Sequence, residues 1–379
     1  MHILVMPSWY ATKDMPQSGS FFREQAQALA RAGHRVSLLF AYADAVDKTY
    51  LEKRNDQGVA TFYVHYKPCR LRVNRLLHFW LLARVFAKFF AKDKPDMIHV
   101  HSFSAGRYAR YFSRRYHIPY VITEHSSAFI RNDLSRYNRH LARRAFAGAS
   151  RVIAVSEGLK GRLAPYYGKE ITVVPNMVCG AFLDAPMEEP AGGNFRYISV
   201  GYLQQRKGMD LLLRAFAVIR REDPQALLHI CGGGEEENTL KQLAQNLNIS
   251  DAVTFHGTVS REQVLASLRQ SHAFVLASRL ETFGVVAVEA LATGRPVIMT
   301  RTEAAEGILN DKNGLLVPVE DVKALTDAMR QMKDNYQDYD CKWIRQDCRR
   351  RFSEEAVCEQ LGEIYQSVVM EYFGSVQRD

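Results

Sequence analysis

The sequence predicts an α/β protein of two doubly wound, Rossmann-like domains facing a cleft. Three observations predict it. The chain has 379 residues, too many for one ordinary core, so two domains of roughly 150–200 residues are the default. Val/Ile-rich runs of strand length alternate with helical patterns in both halves, as expected of parallel sheet covered on both faces. A Pro/Gly segment without periodicity, DAPMEEPAGGN (184–194), reads as the linker between the two series.

HILVM (2–6) reads as a buried first strand and FFREQAQALARAG (21–33) as an amphipathic helix. HRVSLLF (34–40) and ATFYVHY (60–66) are the next strands, followed by a basic, apolar helix pattern near 71–92. DMIHVHS (96–102), a helix near 105–116, YVITEHS (120–126), RVIAVS (151–156) and ITVVP (171–175) complete the first series. In the second, FRYISVGYL (195–203) precedes the helix DLLLRAFAVIRR (210–221), and ALLHICGGG (226–234) precedes NTLKQLAQNL (238–247). VTFHG (253–257), HAFVLAS (272–278), RPVIMT (295–300) and GLLVPV (314–319) are further strands. Residues 353–373 read as one closing helix, with Ser353 as N-cap and glutamates in its first turn.

A composition of 47% hydrophobic and 24% charged residues, without low-complexity blocks, excludes a disordered or fibrous chain. The six cysteines form no C-x-x-C pair and no Cys/His cluster of zinc spacing. The opening MHILVMPSWY is too short for a secretory core, so a reducing cytoplasm is the simplest reading. Residues 1–180 hold 28 Lys+Arg against 12 Asp+Glu, or +16; the remainder holds 22 against 29, or −7. The first half is therefore expected to meet something anionic, such as nucleic acid or an acidic membrane surface. No recognised nucleic-acid motif supports the first of these.

Ligands of doubly wound sheets sit beyond the carboxyl ends of the strands, so the strand-to-helix loops carry the candidate chemistry. PQSGSFFREQA (16–26) puts Gly19 just before a helix, where free N–H groups suit a phosphate or sugar oxygen; a plain loop glycine is the alternative. GYLQQRKGMD (201–210) presents Arg206 and Lys207, adjacent cations that suit a diphosphate or merely open a solvated helix. The three glycines of ICGGGEEE (230–237) match neither a dinucleotide nor a Walker pattern, and serve close approach to a ligand or a tight turn. His125 ends a strand beside Glu124 and Ser126, where a ligand-facing role competes with that of a satisfied core histidine.

SRLETFGVVAVEALATGRP (278–296) carries two glutamates separated by seven residues. Glu281 falls in a loop; Thr282, Phe283 and Gly284 supply the first unpaired N–H groups of a helix; Glu289 lies inside that helix among apolar neighbours. A carboxylate there is costly without a partner. Hydroxyl groups are suitable partners, so the pattern suits a ligand with hydroxyls at both ends and negative charge between, as in a nucleotide sugar. An ion pair with a nearby arginine is the alternative for Glu289.

These segments resemble the retaining family-4 glycosyltransferases of GT-B fold. The resemblance runs from PSWY…SGSFFREQAQALARAGHRV through ITEHSSAF, VIAVSEGL…VVPN, VGYLQQRKGMDLLL, GGGEEE and VTFHGTV to LASRLETFGVVAVEALATGRPV and NGLLVPV. It implies an acceptor-binding domain over 1–183 and a nucleotide-sugar donor domain over 184–359, with a C-terminal helix of about 360–379 packing back on the first. It implies that Lys207, helped by Arg206, Gly19 and the Phe283 and Gly284 N–H groups, holds the donor diphosphate. Glu281 contacts the donor sugar, Glu289 binds the ribose, His256, Gly257 and Thr258 lie near the base, and His125 sits at the reaction centre. No metal or other cofactor is expected. Two departures fall at the donor site: Tyr202 replaces the arginine of G-R-L, and Thr302–Glu306 lacks the glycines of G-G-x-x-E while keeping Glu306.

The resemblance implies a hexosyltransferase using a UDP- or GDP-sugar and a glycan or lipid-linked acceptor, in cell-surface polysaccharide or glycolipid biosynthesis. The segment 70–94 places Arg84, Lys88 and Lys92 four apart amid Leu, Phe and Trp80, a pattern for a helix lying on the inner face of the cytoplasmic membrane or for an ordinary domain helix. A second basic run, RNDLSRYNRHLARR (131–144), suits an acidic or lipid-diphosphate acceptor. A soluble-acceptor transferase and a degenerate nucleotide-sugar-binding protein are the alternatives.

Overall fold

The computed structural model describes residues 1–12, 18–69, 71–190 and 193–376. Pro16 and Gln17 of the first loop, Arg70, Ala191 and Gly192 of the linker and residues 377–379 lie outside them. The chain divides into two compact units. The first comprises Met1–Val155, Leu159–Pro175 and Val357–Asp379; the second comprises Ser156–Gly158 and Asn176–Ala356. The change from one to the other at Pro175/Asn176 precedes the Pro/Gly segment at 184–194.

The first unit holds β1 (His2–Pro7), β2 (Arg35–Ala43), β3 (Tyr50–Asp56), β4 (Val59–Tyr66), β5 (Met97–His101), β6 (Tyr120–Glu124), β7 (Arg151–Ala154) and β8 (Ile171–Val173). They form one sheet in the order β3-β4-β2-β1-β5-β6-β7-β8. Only β3 runs antiparallel, against β4. Its sequence, YLEKRND, lacks an apolar pattern and was not expected as a strand. It survives because an edge strand needs only one partner and is protected from further pairing by its charges. The helix Leu71–Phe89 buries Leu81, Leu82, Val85 and Phe86, with Phe86 stacked on Phe112 at 4.2 Å. Its other half exposes Val73, Leu76 and Trp80. Lys92 lies beyond the end of this helix, so the expected stripe of three cations is reduced to Arg84 and Lys88. The basic run at 131–144 becomes the helix Arg136–Gly148, whose first turn is capped by Ser135 Oγ accepting from Asn138 N at 3.1 Å.

The second unit holds β9 (Arg196–Val200), β10 (Leu227–Cys231), β11 (Val253–Gly257), β12 (Ala273–Leu276), β13 (Val297–Thr300) and β14 (Gly314–Val317). Their order is β11-β10-β9-β12-β13-β14, all parallel. The chain winds outward from β9 in one direction, then restarts at β12 in the other. The switch point therefore lies between β9 and β12, and a ligand crevice is expected beyond their carboxyl ends. The core on this sheet includes Tyr197, Phe216, Leu228 and Met329, and the Tyr197 hydroxyl is satisfied by Met329 O at 2.8 Å. Arg295 of the A-T-G-R-P segment is buried and donates to the carbonyls of Glu188 and Arg269. That part of the motif serves the scaffold.

The helix Glu354–Val376 begins as expected, with Ser353 Oγ accepting from Ala356 N at 3.2 Å. Within the first unit, its Tyr365 is fully buried and hydrogen-bonds His99 Nδ1 at 2.7 Å.

Candidate functional site

In the second unit, Lys207 ends a short 3₁₀ turn after β9 and Glu281 follows β12. The switch point brings them together, with Lys207 Nζ 2.5 Å from Glu281 Oε1. Ser278 Oγ donates to the same oxygen at 2.8 Å. Both charges are largely buried, at 13% and 8% side-chain exposure, so each depends on the other for compensation. Gly208 makes this loop possible: its φ is +64°, and a Cβ there would stand 1.9 Å from Ala277 O.

Arg279 holds the same loop from beneath. Its backbone N donates to Arg206 O at 2.8 Å, and its guanidinium donates to Gln205 O at 2.6 Å and Asp210 at 2.7 Å. The hydrogen bonds it donates to Asp210 and Glu320 raise its pKa further above the ordinary arginine value. Arg206 is exposed and its side chain donates to Gln204 Oε1 at 2.9 Å.

Gly284, at φ +87°, opens the helix Val285–Ala292. Among the described residues no protein group accepts from the N–H of Phe283 or Gly284, while the Phe283 ring is buried against Phe352. Farther along this helix, Glu289 Oε1 lies 2.5 Å from Arg261 Nη2. The arginine alternative is therefore realised for Glu289. Arg261 sits in the first turn of Arg261–Arg269, below a Ser260/Gln263 capping box.

The glycine-rich loop after β10 is occupied by the protein itself. A Cβ on Gly232 would stand 1.9 Å from Gly201 O, and one on Gly233 2.5 Å from Thr258 Oγ1. These glycines let two loops pack backbone to backbone and bring Gly257 and Thr258 to the β10 end. His256 does not join them. Side chains alternate along β11, and its ring turns to His229 Nδ1 at 2.9 Å. There it lines a cavity with Arg196 and Arg269, near the amino end of β9.

In the first unit, Gly19 takes φ +69° and caps the helix Ser20–Arg31. Phe21 and Phe22 of that helix each pack 5.0 Å from the ring of His125. His125 is buried, with Nε2 3.2 Å from His101 Nδ1 and Nδ1 buried without a hydrogen-bond partner among the described residues. Burial, with a smaller contribution from His99, pushes its pKa down to about 3. It is a neutral imidazole with one unsatisfied nitrogen, unsuited to act as a general base near neutrality. Glu124 fixes the backbone at this point, accepting from Ser102 Oγ, Phe103 N, His125 N and Ser126 N at 2.5–2.9 Å. Burial raises its pKa against the pull of those donors.

The residues not anticipated are Ser278, Arg279, Arg261 and Tyr365. Arg261 alone had a local signal, the capping box at 260–263; the others are defined by partners distant in the chain.

Comparison with known proteins gives the same picture over both units. The family profile described as "Glycosyltransferase Family 4" matches residues 18–179, and that described as "Glycosyl transferases group 1" matches residues 186–355. A glycogen synthase of Mycobacterium tuberculosis is 26% identical over 356 residues, covering 88% of this chain and 86% of the relative. A D-inositol 3-phosphate glycosyltransferase of Pseudarthrobacter chlorophenolicus is 28% identical over 360 residues, covering 86% and 85%. Among solved structures, sucrose-phosphate synthase from Thermosynechococcus elongatus superposes with a TM-score of 0.77 at 21% identity, covering 97% of this chain and 99% of that one. Anabaena Alr3699/HepE in complex with UDP-glucose gives 0.75 at 18% identity, covering 97% and 100%.

Proposed function

This chain belongs to the family-4 glycosyltransferases of GT-B fold, and we propose that it moves a sugar from a nucleotide-sugar donor to a glycan or lipid-linked acceptor, with retention of anomeric configuration, in cell-surface polysaccharide or glycolipid biosynthesis. The observation that carries this reading is the Lys207–Glu281 pair beside the open N–H groups of Phe283 and Gly284. A cation and a helix start meet a carboxylate there, matching diphosphate and sugar hydroxyls. Lys207 and Arg206 neutralise the diphosphate, and the helix start at Gly19 offers N–H groups to a phosphate or sugar oxygen. Glu281 orients the sugar, and Glu289, held by Arg261, takes the ribose hydroxyls. Gly257 and Thr258 lie by the base. The UDP-glucose complex of Alr3699/HepE supports a donor of this kind.

In the proposed reaction the acceptor hydroxyl oxygen bonds to the anomeric carbon on the face the diphosphate leaves. The bond from that carbon to the phosphate oxygen breaks, its electron pair stays on the diphosphate, and the acceptor proton passes to that oxygen. Lys207, Arg206 and the helix start stabilise the developing charge without requiring a metal. His125, neutral, offers its free nitrogen to a sugar hydroxyl. No helix among the described residues is long and apolar enough to cross a membrane. Exposed Leu76 and Trp80 beside Arg84 and Lys88 support attachment to an anionic bilayer surface.

A thermal-shift screen of nucleotide sugars tests the reading. One base and sugar should raise Tm, and that donor should be slowly hydrolysed to the sugar of unchanged anomeric configuration. Absence of both stabilisation and hydrolysis across UDP-, GDP- and ADP-sugars would refute it.

A further inference from the structure

Lys207, Glu281 and Glu289 lie in the second unit, and a separate cluster of positive charge lies in the first. A cavity of about 310 Å³ opens there at the carboxyl ends of β1 and β2, bounded by the helices Leu71–Phe89, Phe103–Tyr116 and Arg136–Gly148. Arg75 and Arg107 both line it. The Arg75 guanidinium lies over the Tyr137 ring at 4.8 Å, and that of Arg107 over Tyr108 at 4.4 Å. Among the described residues neither arginine has a carboxylate partner, and Arg107 Nε is buried with no hydrogen-bond partner at all.

Two arginines on one cavity wall supply positive charge without a carboxylate partner among the described residues, and a planar fork with an unused buried N–H is matched to phosphate oxygens. The rest of the lining fits the same ligand. His78 is stacked on Tyr108 at 5.0 Å and hydrogen-bonded to the Tyr66 hydroxyl at 3.0 Å. Burial and then Arg107 push its pKa down to about 4, so it adds hydrogen-bonding capacity without a third charge. The exposed faces of Tyr137 and, on the neighbouring helix, Leu76 and Trp80 provide apolar surface beside the charge.

We propose that this cavity binds a phosphoryl group on the acceptor, gripped by Arg75 and Arg107. The transferase would then act on a phosphorylated acceptor, either a soluble phosphate ester or a lipid phosphate. This inference rests on the glycosyltransferase reading above for calling the ligand an acceptor, but the phosphoryl site itself can be measured without the donor.

The test uses the full chain and the variants Arg107→Ala, Arg107→Lys and Arg75→Ala, with Arg114→Ala as a charge control outside the cavity. Calorimetry with inorganic phosphate and glycerol 1-phosphate at fixed ionic strength reads the soluble source. Sedimentation with phosphatidylcholine vesicles, with and without phosphatidic acid, reads the lipid source. Nucleoside diphosphate affinity is measured in parallel. The expected result is binding in at least one arm, weakened at least about tenfold by Arg107→Ala and Arg75→Ala, with Arg107→Lys intermediate. Arg114→Ala and the nucleotide affinity should stay within about twofold. Exposed Arg75 guards against a folding artefact at Arg107. Binding of neither phosphate source, or equal loss in Arg114→Ala, would overturn the proposal. Phosphate binding that depends on the two arginines, in a chain that binds no nucleotide, would uphold the site and overturn the donor reading instead.

Discussion

Lys207 Nζ and Glu281 Oε1 stand 2.5 Å apart although they are 74 positions apart in the chain. The restart of sheet winding between β9 and β12 is what brings their loops together. Because both are mostly buried, either one alone is an uncompensated charge. Glu281→Gln keeps the shape and removes the charge. It is expected to lower donor turnover by roughly 10²-fold while leaving nucleoside diphosphate affinity nearly unchanged, as read by steady-state rates and calorimetry. Undiminished turnover would remove Glu281 from the site.

Arg261 and Glu289 make a second pair whose worth can be separated from ligand binding. Arg261→Ala leaves Glu289 buried beside one lost partner and should destabilise the protein by about 1–3 kcal/mol. Adding Glu289→Gln should restore much of that loss, because the stranded charge is gone. Urea titration of the two single variants and the double variant gives the coupling. If the ribose role holds, the double variant regains stability without regaining nucleotide affinity.

Gly208 is placed where no other residue fits without displacement. Gly208→Ala combines a positive φ with a Cβ 1.9 Å from Ala277 O, and is expected to cost about 2–4 kcal/mol and to misplace Lys207. Gly161→Ala is the matched control, since nothing lies within 4 Å of its added Cβ. It should be neutral or slightly stabilising, as for a helical glycine, by about 0.5–1 kcal/mol. Melting curves of the two variants should therefore move in opposite directions, or the second not at all.

Acid should weaken the first unit, where four histidines are held neutral by burial. Burial pulls His78 down to about 4, His99 and His125 to about 3, and His101 well below the ordinary 6.5. Below pH 6.5 the unfolded chain binds protons at these positions and the folded chain does not. Their contribution to stability is thus present above 6.5 and is lost as pH falls toward 4, at up to about 1.4 kcal/mol per pH unit for each group. Urea midpoints at pH 7 and pH 5 should differ in that direction, and imidazole NMR signals of His99 and His125 should not titrate across that range. A midpoint that is flat over the interval counts against the buried, neutral cluster.

Much of the site was legible because it is written in local spacing. Gly284 before an apolar run gave a helix start, and the positions of Glu281 and Glu289 followed from that start. The fate of each charge was not legible. Ser278 and Lys207 meet Glu281, Arg261 meets Glu289, and Arg279 ties the Arg206 loop to Asp210, each across a separation that no periodicity encodes. That the His256 ring faces His229 was not legible for a related reason: a strand's alternation does not say which face meets which neighbour. The charged strand β3 escaped because its partner supplies the order that its own residues do not.

The sequence by itself determined the two α/β series, the strand-to-helix loops, and the residue types available at those loops, since these depend on hydrophobic period and on the short-range demands of caps and turns. Only the tertiary structure decided which loops share a switch point, which glycines are filled by neighbouring backbone, and which arginines remain without a carboxylate. Those outcomes depend on strand order and on the compensation of buried charge, which are settled between segments far apart in the chain.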